Sequence, residues 1–364
     1  MQYLKKIILS IIAFFVPSEE IPENLFCVGF TKLACVDANR SFAQQPRPLN
    51  IFVWYPTEKP CQTSSLEYGI WKIKDVAYDA PMMKTKDKLP LIIFSHGYSG
   101  HPYTNSWFAE NLAAHGYIVA SVQHYGNNFP TYGDSSSKMI PELCVRLWNR
   151  PQDMTYALDY LLEHSLFKDN IDVNRIGAAG FSQGAISALW LGGVQAHLTY
   201  DIVKEQMSFI KDPLMAPRLF KDISQEYLEG VIDDLNDSDF KQMNKSYRDN
   251  RIKAVFAMAP GIAEKNTTMF NKEGLAKNAV PTFFVVGEDD DVQDVQSLAK
   301  YISGSVINIL PGHVSHWTLL NEGTQEGKKL NAFITVDDES INRAAIHQQI
   351  GSMALQFFNN TLFQ

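Results

Sequence analysis

The sequence predicts an α/β protein in which a mostly parallel central sheet carries helices on both faces. Two observations support this fold class. Short apolar runs rich in β-branched and aromatic residues recur along the chain, and helix-like stretches lie between them. Alternation of this kind is typical of parallel sheets, whose binding sites form at the carboxyl ends of the strands.

The apolar runs place the predicted elements in chain order. Strands are predicted at 49–56, 70–80, 89–94, 117–122, 175–179, 252–259, 282–286 and 305–310, and helices at 103–115, 151–164, 185–191 and 341–359. Pro56 is expected to end the first strand. Pro151 is expected at the first position of its helix, where the missing N–H costs nothing.

Residues 194–250 do not follow the alternation. The segment is long, polar and charged, with apolar residues such as Tyr227, Leu228 and Val231 at helical spacing. Because a structureless loop of this length is uncommon, the segment is predicted to form helices. The segment is either a helical cap over a binding site or an insertion packed on the edge of the sheet. We assign it as a helical cap when we divide the chain into domains.

The first twenty residues have the plan of a secretory signal. Lys5 and Lys6 precede an apolar run at 7–16, IILSIIAFFV. The run is shorter than the ~20 residues that a membrane-spanning helix needs, and no clean small-x-small cleavage site follows it. Residues 1–20 are therefore predicted to be a signal peptide or an uncleaved anchor of a secreted, periplasmic or cell-envelope protein. A buried N-terminal strand or helix is the alternative.

The composition bears on cofactors, nucleic acids and disulfides. The net charge is −8, and no block of Lys and Arg is long enough to suggest a nucleic-acid partner. The cysteine spacing fits no zinc pattern, and nothing in the sequence indicates a metal or an organic cofactor. Export would permit disulfides. Cys27 and Cys35 flank a short segment and are the candidate pair, but with Cys61 and Cys144 three pairings exist, and free thiols are the alternative.

The stretch GFSQG at 180–184 matches G-x-S-x-G, the pattern of a serine on a sharp turn between a strand and a helix. A serine hydroxyl is a weak nucleophile at neutral pH. Ser182 therefore needs a base, a third group that holds the base, and N–H donors for the developing oxyanion. An ordinary hydroxyl in a glycine-containing turn is the alternative.

The acid and the base are expected at strand ends, in the chain order Ser, acid, His. The strand at 282–286 is followed by an acidic cluster, in which Asp290 is the first candidate and Asp289 the second. A solvated cluster or a helix N-cap is the alternative. After the last predicted strand, His313 and His316 both qualify as the base, and spacing alone does not separate them.

The turn FSHGYSG at 94–100 follows a buried strand, and a His-Gly turn at this place can present a backbone N–H toward Ser182. The predicted oxyanion hole consists of the backbone N–H groups of Tyr98 and Gln183. His96 is expected to support the turn rather than to act in catalysis.

These segments resemble the α/β-hydrolase fold, and within it the group of platelet-activating-factor acetylhydrolases and dienelactone-hydrolase-like proteins. The resemblance covers about 28–358. It rests on Asp37 and Arg40, on 54–56, 94–97 and the R-P-x-D segment 150–153, and on 316–320, Thr324, 327–329, Asp337, 342–343 and 346–347. In that group an aromatic residue and an apolar pair follow the catalytic histidine, which implies His316 as the base. The acidic segment, aligned in the same way, implies Asp290.

Two positions depart from the group's pattern. Ser315 stands where a glycine is frequent, and the segment 124–126 reads His-Tyr-Gly where the group often has His-Arg. Dienelactone hydrolases use a cysteine nucleophile, whereas this chain has Ser182, which argues against dienelactone hydrolysis. The resemblance divides the chain into a catalytic domain over 25–193 and 251–364, with 194–250 as the helical cap.

The resemblance implies a serine hydrolase that cleaves short-acyl or lipid esters, phospholipid-like esters included. Its expected partner is a small-molecule ester or lipid, and a peripheral membrane contact is compatible with such a substrate. An acyltransferase or peptidase with the same triad is one alternative. A non-catalytic binding protein of the same fold is another, because fold alone does not fix activity.

Overall fold

The chain folds around one large sheet. The computed structural model describes residues 25–59, 61–128, 138–206, 224–261, 269–290 and 292–364. The predicted signal or anchor at 1–20 lies outside these residues. In the part of the chain that is described, no helix is both long enough and apolar enough to cross a bilayer.

The strands of the described residues, numbered in chain order, form one twisted surface. They are β1 Cys27–Phe42, β2 Gln45–Thr57, β3 Ser64–Tyr68, β4 Trp71–Tyr78, β5 Leu89–Ser95, β6 Ile118–Gln123, β7 Ile171–Phe181, β8 Ile252–Met258, β9 Thr282–Asp289 and β10 Val306–Ser315. Their spatial order is β10-β9-β8-β7-β5-β6-β2-β1-β4-β3. Strands β5 to β10 are parallel to one another, whereas β2 is antiparallel to β6 and to β1. The predicted mostly parallel sheet is confirmed.

Helices cover both faces of this sheet. They are α1 Ser106–Ala114, α2 Pro141–Val145, α3 Asn149–Glu163, α4 Gln183–Gly192, α5 Tyr200–Gln206, α6 Gln225–Asp233, α7 Asp237–Met243, α8 Lys272–Leu275, α9 Val292–Ala299, α10 Gln325–Leu330, α11 Ala332–Thr335 and α12 Arg343–Leu362. Helices α3 and α4 pack on one face, where Trp190 is buried. Helices α1 and α12 pack on the other, around Phe108 and Phe358.

Several local features differ from the sequence-based expectation. Strand β1 was not predicted, because its polar and apolar residues alternate only in part. Strand β2 continues through Pro56, which lies opposite Val28 of β1 and accepts a hydrogen bond from Met83 N. Helix α3 begins at Asn149, so Pro151 is its third residue. The missing proline N–H still falls in the first turn, where N–H groups have no partner within the helix.

The described helices of the segment 194–250 pack in the same layer as α3 and α4. Leu228, Val231 and Ile232 of α6 are buried in the core cluster that contains α4. The Tyr227 hydroxyl donates to the Glu142 carboxylate on α2. The described parts of the segment therefore contain helices that join the layer over α2 and α4. The division of the chain into a catalytic domain and a helical cap stays a prediction.

The disulfide prediction was wrong. Cys27 is bonded to Cys61, with their Cα atoms 6.3 Å apart, and Cys35 is a buried free thiol whose Sγ donates to Leu49 O. Cys27 and Cys35 both lie on β1. At ~3.3 Å per residue the eight steps between them span about 26 Å, far more than a disulfide can bridge.

We expect removal of this disulfide to lower the free energy of unfolding by about 3–4 kcal/mol, because it restricts the unfolded chain. The bond joins residues 34 apart in sequence. Cys27→Ser should lower the Tm measured by calorimetry, and dithiothreitol should bring the wild type to the same value. Cys35→Ala is the matched control and should keep the full response to dithiothreitol. Equal Tm values for oxidised and fully reduced wild type would contradict this pairing.

Candidate active site

A strand-to-helix turn carries Ser182. Strand β7 ends at Phe181 and helix α4 begins at Gln183. Between them Ser182 has φ 54° and ψ −122°, a conformation that residues with a side chain rarely adopt. Its N–H donates to Met258 O at 2.9 Å, which ties the turn to β8. Strain of this kind, about 1–3 kcal/mol, collects at functional sites.

Close backbone packing explains the two glycines of the turn. A Cβ at Gly180 would overlap the backbone of Gly184 and Ala185, and a Cβ at Gly184 would overlap the carbonyls of Ser95 and His96. A side chain at either position would push α4 away from the sheet. The sharp turn predicted from G-x-S-x-G is therefore present.

An Asp-His pair lies beside this turn. Asp290 directly follows β9 and His316 directly follows β10, and because these strands are parallel neighbours their carboxyl ends meet. His316 Nδ1 is 2.9 Å from Asp290 Oδ2, and their side chains are 22% and 7% exposed. The His316 ring packs on Phe181, with ring centroids 4.7 Å apart. Since Phe181 directly precedes Ser182 in the chain, the pair of His316 and Asp290 lies near the turn that carries the serine.

The two competing candidates form a second Asp-His pair. His313 Nδ1 lies 2.9 Å from Asp289 Oδ2, but these side chains are 63% and 49% exposed. The hydrogen bond to Asp289 raises the pKa of His313. Both pairs have the same geometry, so burial and the contact with Phe181 distinguish them. These features favour His316 and Asp290.

The turn after β5 is oriented by donors to the Gly97 carbonyl. His96 Nδ1 lies 2.8 Å from Gly97 O, and Gly100 N donates to it at 3.1 Å. In a trans peptide the N–H points opposite to the carbonyl, so the Tyr98 N–H faces away from these donors. A Cβ at Gly97 would stand 3.5 Å from Ser182 Cβ, which places the turn against the serine.

The second predicted oxyanion donor begins helix α4. Gln183 is the first residue of this helix, where N–H groups have no intrahelical acceptor. The turn and the helix start thus lie on either side of Ser182. The roles of the Tyr98 and Gln183 N–H groups as oxyanion donors remain predictions.

Parts of this chain are similar to known proteins. Residues 57–132 match the sequence model of the family described as platelet-activating factor acetylhydrolase, isoform II. The putative esterase YitV of Bacillus subtilis is 26% identical over 159 residues, which are 43% of this chain and 58% of that protein. The platelet-activating factor acetylhydrolase of Cavia porcellus is 44% identical over 59 residues, 16% of this chain and 13% of that protein.

In these parts the chain is similar to the group of platelet-activating-factor acetylhydrolases and dienelactone-hydrolase-like proteins. A solved structure of a ferulic acid esterase from Streptomyces cinnamoneus has the same fold, with a TM-score of 0.58 and 18% identity over 95% of this chain and 92% of that one. The chain spans 58% of the first curated relative and 13% of the second.

A buried polar network lies behind the candidate site. Asp153 on α3 is 2.8 Å from Arg40 Nη1, 2.7 Å from Arg47 Nε and 2.9 Å from His124 Nδ1. Arg40 also bonds Asp37 at 2.6 Å. The residues Asp37, Arg40 and Asp153, on which the resemblance rests, therefore meet in space. Sequence reasoning missed Arg47 and the part played by His124, because no local spacing connects them to α3.

The protonation states of this network follow from burial. Burial alone would raise the pKa of Asp153, but Arg47 and Arg40 hold it well below its ordinary value. Burial lowers the pKa of His124 to about 3, so its ring is neutral. Its Nδ1–H donates to Asp153, and its Nε2, 2.8 Å from Ser95 Oγ, accepts from that hydroxyl. A fixed chain of hydrogen bonds thus runs from α3 to the end of β5.

Proposed function

We propose that this protein is a serine carboxylic-ester hydrolase that works through an acyl-enzyme. The observation that carries the proposal is the part-buried pair of Asp290 and His316 beside the strained turn of Ser182. Asp290 accepts from His316 Nδ1–H, which leaves Nε2 as the basic nitrogen. In the proposed reaction Ser182 Oγ attacks the ester carbonyl as His316 Nε2 takes its proton.

The second half of the reaction uses the same groups. His316 returns the proton to the leaving alcohol, and a water molecule then attacks the acyl-enzyme with His316 as its base. The N–H groups of Tyr98 and Gln183 would hold the oxyanion in both steps. Removing one such donor typically costs about 3 kcal/mol of transition-state stabilisation.

The proposed substrates are short-acyl or lipid esters, phospholipid-like esters included. The proposal is supported by relatives whose names are esterase and platelet-activating factor acetylhydrolase. A secreted or cell-envelope location is proposed from the signal-like pattern at 1–16 and from a disulfide that an oxidising compartment would preserve. A peripheral membrane contact would fit a lipid substrate.

An ester panel tests the function and its substrate class together. We expect the purified wild type to hydrolyse p-nitrophenyl esters, with kcat/KM highest for acetate or butyrate and falling for long acyl chains. A fluorophosphonate probe should add its mass to the peptide that contains Ser182, and heat-denatured protein is the control. The absence of both turnover and labelling would contradict the proposal and would favour a binding protein. Faster acyl transfer to an added alcohol than to water would make the enzyme a transferase.

Gly261 is expected to keep the space in front of Ser182 open. A Cβ at Gly261 would stand 3.0 Å from Ser182 Oγ and 3.7 Å from Gln183 N. Both atoms must face the ester carbonyl, so a methyl group there would displace the substrate. Gly261→Ala should lower kcat/KM for p-nitrophenyl acetate on the order of 10²-fold.

Gly230→Ala is the matched control for this substitution. A Cβ at Gly230, inside α6, meets nothing within 4 Å. The variant should keep wild-type kinetics and gain roughly 0.5–1 kcal/mol of stability, because alanine is the better helix former. Wild-type kinetics in Gly261→Ala would show that the substrate approaches from another side.

A further inference from the structure

A buried guanidinium lies under the oxyanion turn. Arg150 on α3 is 2% exposed. Its Nη2 donates to His96 O and, at 3.0 Å, to Ser95 Oγ. Its Nη1 donates to Gln183 Oε1 at 2.8 Å and lies 3.5 Å from Gly97 O, at the outer limit of a hydrogen bond.

These contacts join the two segments that supply the predicted oxyanion donors. His96 and Gly97 belong to the turn that presents the Tyr98 N–H, whereas Gln183 is itself the second donor residue. The Tyr98 N–H belongs to the same peptide group as Gly97 O, so the groups that face this carbonyl also direct the N–H. A planar guanidinium with several N–H groups in a fixed fork suits this task better than an ammonium.

Asn127 supports the same junction from a second direction. Its Oδ1 accepts from Ser99 N at 2.8 Å, and its Nδ2 donates to Gln183 Oε1 at 3.3 Å. The Gln183 side-chain oxygen is therefore the point where Arg150 and Asn127 meet. The Gln183 side chain links the helix start to the turn, in addition to the N–H that its backbone supplies.

Among the described residues, the hydrogen bonds of the Arg150 guanidinium go to carbonyl, hydroxyl and amide oxygens and not to a carboxylate. The carboxylate of Asp153, which raises the pKa of Arg150 through its negative charge, bonds Arg40, Arg47 and His124 instead. Burial lowers the pKa of Arg150 to about 9, which leaves it protonated at neutral pH. A positive charge in a water-poor site behind the oxyanion donors favours negative charge in front of them.

We propose that Arg150 is the positioning residue of the oxyanion hole: its guanidinium fixes the Tyr98 and Gln183 donors relative to each other and to Ser182. The inference rests on the proposed esterase function. Arg150 does not touch the substrate, so its loss should weaken binding of the transition state and leave binding of the ground state nearly unchanged.

Kinetics of Arg150→Lys and Arg150→Met on p-nitrophenyl acetate test this inference. We expect kcat to fall about 10²–10³-fold in Arg150→Met, with KM within about threefold of the wild type. Arg150→Lys should fall less, because it keeps the charge but not the fork. A trifluoromethyl ketone, which forms a tetrahedral oxyanion adduct with serine, should lose affinity by the same factor as kcat.

Arg251→Met is the matched control. Arg251 bonds the carboxylates of Asp249 and Asp159, at the end of the sheet where β8 begins, and should keep its kcat. If Arg150→Met does not fold by circular dichroism, Gln183→Leu carries the test, because it removes the acceptor but keeps the N–H. It should lower kcat at least tenfold at constant KM.

The outcomes separate the inference from the function on which it rests. A wild type that hydrolyses the ester while folded Arg150→Met keeps its kcat and its ketone affinity would overturn the inference alone. A loss that falls wholly on KM would do the same. A wild type without turnover would refute the proposed function, and the inference with it.

Discussion

Ser182→Ala is expected to lower kcat/KM for p-nitrophenyl acetate by about 10⁵-fold or more, to the level left by substrate binding and the oxyanion donors alone. The serine is held in a strained turn between β7 and α4, with Gly261 leaving space in front of its hydroxyl. Alanine keeps that backbone conformation available but has no oxygen to form an acyl-enzyme. Steady-state rates with active-site titration of the wild type would measure the effect.

The control for this substitution is Ser352→Ala on α12, whose hydroxyl donates to Gln348 O on the same helix. It should keep wild-type rates, and both variants should keep the wild-type Tm within a few degrees. Turnover above a tenth of the wild-type rate in Ser182→Ala would rule out the acyl-enzyme at this residue.

The second prediction concerns the substitutions His316→Gln and Asp290→Asn. The exposed pair of His313 and Asp289 serves as the control within the same protein. Loss of the base should lower kcat by about 10⁶-fold, and loss of the carboxylate by about 10⁴-fold, because the amide favours the wrong tautomer of the ring. The part-buried position of the pair and its packing on Phe181 are the reasons for choosing it.

His313→Gln and Asp289→Asn are the matched controls. This pair has the same 2.9 Å distance but is exposed to solvent, and surface ion pairs contribute little to stability. We expect kcat within about twofold of the wild type for both. The reverse pattern, in which His313→Gln is inactive and His316→Gln is active, would assign the base to the exposed pair.

The parts of the site that sequence reasoning located are those with a local signal. The turn at Ser182 follows from glycines at fixed offsets, because backbone atoms pack where their side chains would be. Asp290 and His316 each follow a strand directly, and parallel strands bring their carboxyl ends together. The choice between His313 and His316 came from the register of the resemblance, since both histidines have an aspartate partner.

The parts that sequence reasoning could not locate depend on contacts between distant segments. Arg47 and Asp153 are 106 residues apart in sequence and bond at 2.7 Å, and no periodicity predicts such a contact. Cys61 reaches Cys27 because β1 and β2 form a hairpin that places Thr57 opposite Cys27, four residues before Cys61. The cysteine count does not reveal this pairing. Strand β1 was missed because its exposed face carries a mixed pattern of residues.

The network of Asp153 has a consequence for changing this protein by evolution or design. Arg40, Arg47 and His124 come from three separate segments, and all three bond Asp153 of a fourth segment inside the fold. Removing one partner of such a buried pair typically costs about 3–5 kcal/mol. The four residues can therefore be exchanged only as a set, and a mutant library that seeks new substrates should hold them constant and vary the residues around Gly261.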